Sequence, residues 1–194
     1  IRTLIQGQRI HSLILWGPPG TGKTTLSRII VNELAYKSLE CSATISSITR
    51  IREILREAVK IRELEGKPLV LFVDEIHHFN KHSQDAFLPY VERGDIILLG
   101  TTIENPAYKI NRALLSRLKI LELYPLKESH LRTVLERGQA FLKERTGRSF
   151  TLRPGAVNLL LNYAQGDCRR VLNLLEILHH LRRKTITPEA IREI

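Results

Sequence analysis

The 194-residue sequence predicts an α/β fold: a five-stranded parallel sheet covered by helices on both faces, followed by a small all-α domain. Three observations predict it. Short apolar runs, such as Leu69–Val73 and Ile96–Leu99, lack polar alternation, which marks strands buried on both faces. Between these runs lie stretches with apolar residues at helical spacing, and strands alternating with helices need crossover connections that make the sheet parallel. After Tyr124-Pro125 the spacing becomes purely helical, so the boundary falls near residue 125, giving a core over 1–124 and a helical domain over 125–194.

Composition bounds the partners. With 43% hydrophobic residues the chain can bury a real core, and neither a signal-peptide pattern nor an apolar run of membrane-spanning length is present, so a soluble, intracellular protein without a membrane partner is expected. Cys41 and Cys168 match no metal-ligand spacing and read as small, partly buried, reduced thiols. The absence of Met, even at position 1, reads as a fragment or processed chain. The formal net charge of +10 favours an anionic partner. Residues 1–124 carry 17 basic and 13 acidic groups, whereas the shorter 125–194 span carries 13 and 7, so nucleic acid is a plausible partner.

Taken in order, residues 3–10 read as a helix end leading into a first strand, Leu13–Trp16. The next stretch, Gly17-Pro18-Pro19-Gly20-Thr21-Gly22-Lys23-Thr24-Thr25, fits G-x-x-x-x-G-K-[ST]. Glycines let the backbone turn so that successive N–H groups point at a phosphate, Lys23 can reach β- and γ-phosphates, and the Thr24 hydroxyl can complete a Mg²⁺ shell. Leu26, Ile29, Ile30 and Leu34 follow at helical spacing, which supplies the strand, loop and helix the motif requires. Ser38–Ala43 is a weak second strand, and 46–65 is a long amphipathic helix ended by Gly66-Lys67-Pro68.

The third strand ends in Asp74-Glu75. Carboxylates at the carboxyl end of a buried parallel strand face the crevice where such sheets bind ligands. There Asp74 would hold Mg²⁺ through its water shell and Glu75 would polarise the attacking water. His77-His78 invites a zinc assignment, but neighbouring residues on a strand or turn are expected to point apart and no third ligand has suitable spacing, so zinc is not expected. A helix follows to Glu92, with Pro89 predicting a kink or irregular turn. Asp95–Gly100 is the fourth strand, with Thr101-Thr102 beyond its end, and a short helix, Asn111–Ser116, closes on Arg117. A fifth strand, Leu118–Leu123, completes the core. Helices are predicted over 128–145, 154–165 and 168–183, and Thr187-Pro188-Glu189 opens another with a cap and a proline in the first turn.

In this sequence, LILWGPPGTGKTT (13–25), FVDEIHHFNKHSQDAFLPYV (72–91), TIENP (102–106), ALLSR (113–117) and GDCRRVLN (166–173) together resemble the AAA+ ATPases, specifically the clamp-loader-like RarA/MgsA family of replication-associated recombination proteins, relatives of the Werner-helicase-interacting ATPases. The resemblance spans nearly the whole chain, and the Asp-Glu-Ile-His-x-Phe-Asn-Lys stretch is its most family-specific part. It implies a P-loop NTPase core with a helical lid, ATP/ADP and Mg²⁺ as cofactors, Lys23 and Thr24 as the Walker A pair, and Asp74 and Glu75 as the Walker B pair. It further implies that Arg117 is an arginine finger reaching a neighbour's nucleotide and Arg169 the sensor-2 arginine of the lid. A surface arginine favoured by a helix C-terminus is the alternative for Arg117, and Arg170 could share the role of Arg169.

Aligning the family's Gly-Ala-Thr-Thr-Glu-Asn-Pro with Gly100–Pro106 puts Ile103 where a polar sensor-1 side chain belongs, leaving Thr102 as the neighbouring hydroxyl. His78 stands where the family usually has Arg. The implied function is ATP hydrolysis by a homo-oligomer acting on DNA at forks and single-strand/duplex junctions in replication, recombination and repair, with single-strand-binding protein and replisome contacts. The implied location is cytoplasmic and nucleoid-associated in a bacterium, or nuclear in a eukaryote. An adenine-framing N-terminal segment and a C-terminal oligomerisation domain would lie outside the chain. The alternatives are a nucleotide-gated scaffold with negligible hydrolysis and a clamp-loader-type subunit.

Overall fold

The computed structural model describes residues 10–193, so all but the last residue of the helix end expected over 3–10 lies outside the described residues. The predicted sheet is present, with five parallel strands: β1 (Leu13–Trp16), β2 (Ser38–Ser42), β3 (Leu69–Asp74), β4 (Ile96–Thr102) and β5 (Lys119–Glu122). Their order is β2-β3-β4-β1-β5, so β1 sits between the last two strands of the series. Chain direction across the sheet reverses there, which opens a crevice at the strands' carboxyl ends.

Alternation along β3 shows why its sequence is continuously apolar. Leu69, Leu71 and Val73 enter one hydrophobic cluster with Ile51, Ile54, Leu55 and Ala58, while Val70 and Phe72 enter another with Ile30 and Leu34. One cluster lies beneath helix α2 (Ile48–Glu65), the other beneath α1 (Lys23–Glu33). Helix α2 starts where the Ser47 side chain accepts the Arg50 N–H at 3.2 Å, and its end is closed by Gly66, whose N–H donates to Arg62 O.

Pro89 acts as expected. The segment divides into α3 (Lys81–Asp85) and α4 (Leu88–Arg93), with Pro89 in the first turn of the second, where its missing N–H leaves no bond unmade. Phe87, at the break, is fully buried against the Phe79 ring, with centroids 6.0 Å apart. Phe87→Ala is expected to destabilise the chain by about 3–5 kcal/mol, measured by denaturant unfolding. Two short helices follow β4, α5 (Pro106–Lys109) and α6 (Arg112–Leu115), capped by the Asn105 and Asn111 side chains.

Contacts divide the chain into two compact units, one comprising 1–17 and 23–123, the other 18–22 and 124–194. The second unit contains α7 (Glu128–Thr146), α8 (Pro154–Ala164), α9 (Cys168–His180) and α10 (Pro188–Arg192), packed around Leu131, Leu135, Leu160, Val171 and Leu175. Its helices are joined by a two-stranded parallel pair, β6 (Thr151–Leu152) and β7 (Thr185–Ile186), which the all-helical reading did not contain. Two residues cannot show a period, so nothing in the pattern marks them. Helix α9 ends at His180, before the expected 183. Thr187 occupies the N-cap of α10, but its hydroxyl bonds no backbone N–H; it bonds the Glu189 carboxylate instead, and this holds Glu189 below the usual carboxylate range.

Candidate nucleotide site

In the first unit the phosphate-loop motif begins where β1 ends. Gly17 N donates to Thr102 O at 3.2 Å, and Leu123 N donates to Trp16 O at 2.7 Å, so the loop leaves the sheet flanked by β4 and the end of β5. A Cβ on Gly17 would lie 2.1 Å from Leu123 O, a backbone atom, so no other residue fits. Lys23, at the first turn of α1, is buried and donates its Nζ to Gly17 O at 2.8 Å. Gly22, at φ 88°, takes a backbone conformation that residues with a Cβ rarely adopt. An amine at a helix N-terminus is a donor set that fits a nucleotide phosphate.

The loop crest, 18–22, belongs to the second unit. Thr21 Oγ1 donates to Pro18 O at 2.9 Å, and Gly20 O accepts the Cys168 N–H at 3.1 Å. Asp167 caps α9 by accepting the Arg169 and Arg170 N–H groups at 2.8 and 3.3 Å. The predicted Arg169 is therefore one residue from a backbone bond to the crest, and its side chain is exposed. Pro19 and Thr25 are exposed.

The carboxylates come to the same sheet end in the first unit. Thr24 Oγ1 donates to Asp74 Oδ1 at 3.1 Å across 50 residues of chain, which puts the two side chains expected to hold Mg²⁺ side by side. A hydroxyl and a carboxylate are hard oxygen donors, the set that suits Mg²⁺. Thr101 Oγ1 also donates to Asp74 Oδ1 and accepts the Glu75 N–H at 3.0 Å. One fully buried hydroxyl thus fixes Asp74 through its side chain and Glu75 through its backbone.

Thr101 is the functional candidate that sequence reasoning missed. Strand β4 runs on to Thr102 rather than stopping at Gly100, so both threonines lie within the sheet. A buried hydroxyl in a strand needs a partner, and that requirement was the available signal; naming the partner required knowing that β3 pairs with β4. Thr101→Val is expected to cost about 1–3 kcal/mol of stability by leaving the Glu75 N–H without its acceptor. Thermal unfolding measures this loss.

Thr102, the predicted sensor-1 substitute, has another arrangement. Its hydroxyl lies 3.1 Å from His77 Nδ1, donates to Glu104 O at 3.1 Å and accepts Glu104 N–H at 3.0 Å. Ile103 is 43% exposed.

Glu75 adopts the left-handed backbone conformation, φ 54° and ψ 47°, and opens a 3₁₀ turn over Ile76–His78. Such a conformation costs a residue with a Cβ about 1–2 kcal/mol, a kind of strain concentrated at functional sites. Glu75 Oε2 stands 3.2 Å from His77 Nδ1. Burial, chiefly, and then the neighbouring His78 hold His77 below its ordinary pKa, which disfavours its charged form beside Glu75.

The expectation that His77 and His78 point apart is overturned. Their ring centroids are 4.4 Å apart, and Glu75, His77 and His78 offer ligand atoms within 4.8 Å of one another. In a 3₁₀ turn three residues complete one revolution, so Glu75 and His78 come to the same side, which a strand would not allow. The cysteines contribute no such group: Cys41 is buried, its thiol pushed up to about 11 chiefly by that burial, and Cys168 is half-buried.

Arg117 follows the end of α6. It donates to Ala113 O and Ser116 Oγ, each at 2.8 Å, and pairs with Glu92.

Residues 13–126 match the family model described as ATPase family associated with various cellular activities (AAA). Over 175 residues the chain is 42% identical to replication-associated recombination protein A of Coxiella burnetii, covering 90% of this chain and 39% of that protein. It is 37% identical over 200 residues to the protein of that name from Escherichia coli, covering 98% and 44%. Identity to the ATPase WRNIP1 of Dictyostelium discoideum is 37% over 177 residues, covering 91% and 20%. The chain therefore spans less than half the length of these relatives. The solved Thermotoga maritima RuvB Holliday junction branch migration motor superimposes with a TM-score of 0.74 at 22% identity, covering 99% of this chain and 63% of that one, a likeness of fold.

Proposed function

We infer the function from one premise: the chain belongs to the AAA family of ATPases, on the branch of the replication-associated recombination proteins. In this reading it is the ATP-hydrolysing part of a homo-oligomer that acts on DNA in replication-fork maintenance, recombination and repair. The observation that carries the hydrolytic half is the Thr24 hydroxyl on the Asp74 carboxylate, with Glu75 held next to them by Thr101. When bound, Mg²⁺-ATP supplies the electrophilic phosphoryl group and a metal that offsets its charge. Lys23 would exchange Gly17 O for phosphate oxygens, Thr24 and Asp74 would hold the metal, and Glu75 would take the proton of the attacking water. Arg117 acts in a neighbouring protomer's site and Arg169 reports nucleotide state.

The DNA half draws support from the names of the relatives and from the basic excess over 125–194. Its test is ATP turnover at low salt with and without forked or single-strand-ended DNA. Stimulation is expected, together with binding that weakens as salt rises. Unchanged turnover and no binding would remove DNA as the partner. Contacts with single-strand-binding protein and the replisome belong to the same reading and are tested by co-sedimentation. A second reading, a nucleotide-gated scaffold with negligible hydrolysis, is favoured by the apolar, part-exposed Ile103 at the end of β4.

A further inference from the structure

We propose that Glu75, His77 and His78 bind one Zn²⁺ ion, which on binding occupies the carboxylate assigned to the attacking water and so halts ATP turnover. The three side chains each present one ligand atom within 4.8 Å of the others. The separation of Glu75 Oε2 from His77 Nδ1, 3.2 Å, is already the edge of a zinc tetrahedron: bonds of about 2.0–2.1 Å place two ligands about 3.3–3.4 Å apart. His78 needs only a side-chain rotation to close the third position. It sits one 3₁₀ revolution from Glu75, its ring lies beside that of His77, and it is exposed to solvent, which gives the ion a way in.

Two imidazoles and one carboxylate form a donor set that suits zinc, and three protein ligands leave a fourth position for water. Mg²⁺ prefers six oxygens and is held elsewhere in this reading, by the shell of Thr24 and Asp74, so an excess of it does not fill the imidazole pair. The left-handed backbone at Glu75 turns the chain sharply enough for residues 75, 77 and 78 to converge. Zinc binding itself depends only on this cluster. The loss of turnover rests on the assignment of Glu75 under the proposed function.

The test is a titration of nucleotide-free protein with Zn²⁺ alone, followed by calorimetry, and then of ATP turnover at fixed excess Mg²⁺. One zinc per chain is expected. His78→Ala is expected to weaken binding by at least about tenfold and to raise the zinc concentration for half-inhibition by the same factor. Its zinc-free turnover should stay within about twofold of the parent, and its circular dichroism should be unchanged. A Cys168→Ser chain is expected to bind zinc like the parent, which separates the histidine cluster from the half-buried thiol. Absence of stoichiometric binding, undiminished binding by His78→Ala, or loss of binding in Cys168→Ser overturns the site. Stoichiometric binding without inhibition overturns its regulatory role. A protein that binds zinc but hydrolyses no ATP retains the site and overturns the proposed hydrolytic function.

Discussion

Glu75→Gln is expected to lower ATP turnover by about 10²–10⁴-fold while nucleotide binding stays close to that of the parent. Glutamine keeps the shape, the Glu75 N–H bond to Thr101 and the left-handed backbone, but cannot accept a proton from water. The variant therefore separates proton transfer from every structural duty of the residue. Phosphate release under single-turnover conditions, alongside a fluorescent-nucleotide titration, measures both quantities. Equal background rates in parent and variant would favour the scaffold reading. The pairing of Glu75 with His77 gives a companion result: His77→Ala removes one partner of the carboxylate, and its rate reports how far that contact restrains the base.

Arg117→Ala is expected to reduce turnover by about 10³–10⁵-fold if its guanidinium stabilises charge on a neighbour's transferred phosphoryl group. The loss should be curable by mixing. Combining Arg117→Ala with Glu75→Gln protomers creates interfaces where one chain supplies the arginine and the other the glutamate, so activity returns where neither variant alone has it. In the protomer Arg117 is paired with Glu92, so an arginine acting in trans must first leave that carboxylate. Glu92→Gln is expected to lower the protein concentration at which turnover becomes half-maximal. An Arg117→Ala rate equal to the parent's would make the residue a surface arginine that helps only to close α6.

The central strands β1, β3 and β4 were legible from their continuous apolar runs, and β3 shows the reason: from Leu69 to Val73 its alternate residues enter two different clusters, so none of these positions can be polar. Helix α2 was legible at both ends, from Ser47 as cap to Gly66 as stop. The site was legible only where chemistry requires a fixed local spacing, as in Gly17–Thr25 and Asp74-Glu75. Thr101 was not, because its partner comes from strand order rather than from chain neighbours. The convergence of residues 75, 77 and 78 was hidden for a related reason: a three-residue turn has no hydrophobic period, and the wrong local geometry sends adjacent rings to opposite sides. The strand pair β6–β7 escaped for its brevity, and the Glu92 contact of Arg117 joins residues that nothing in the linear pattern links.

The left-handed backbone at Glu75 also sets two demands on one position against each other. Glycine would relieve the steric cost there, and asparagine would reduce it, but each removes the carboxylate. A library of this chain selected for heat resistance alone is therefore expected to enrich Gly or Asn at position 75, whereas selection for hydrolysis should keep glutamate despite the cost. The residue proposed to act on the attacking water would thus be among the first lost when an engineer asks only for durability.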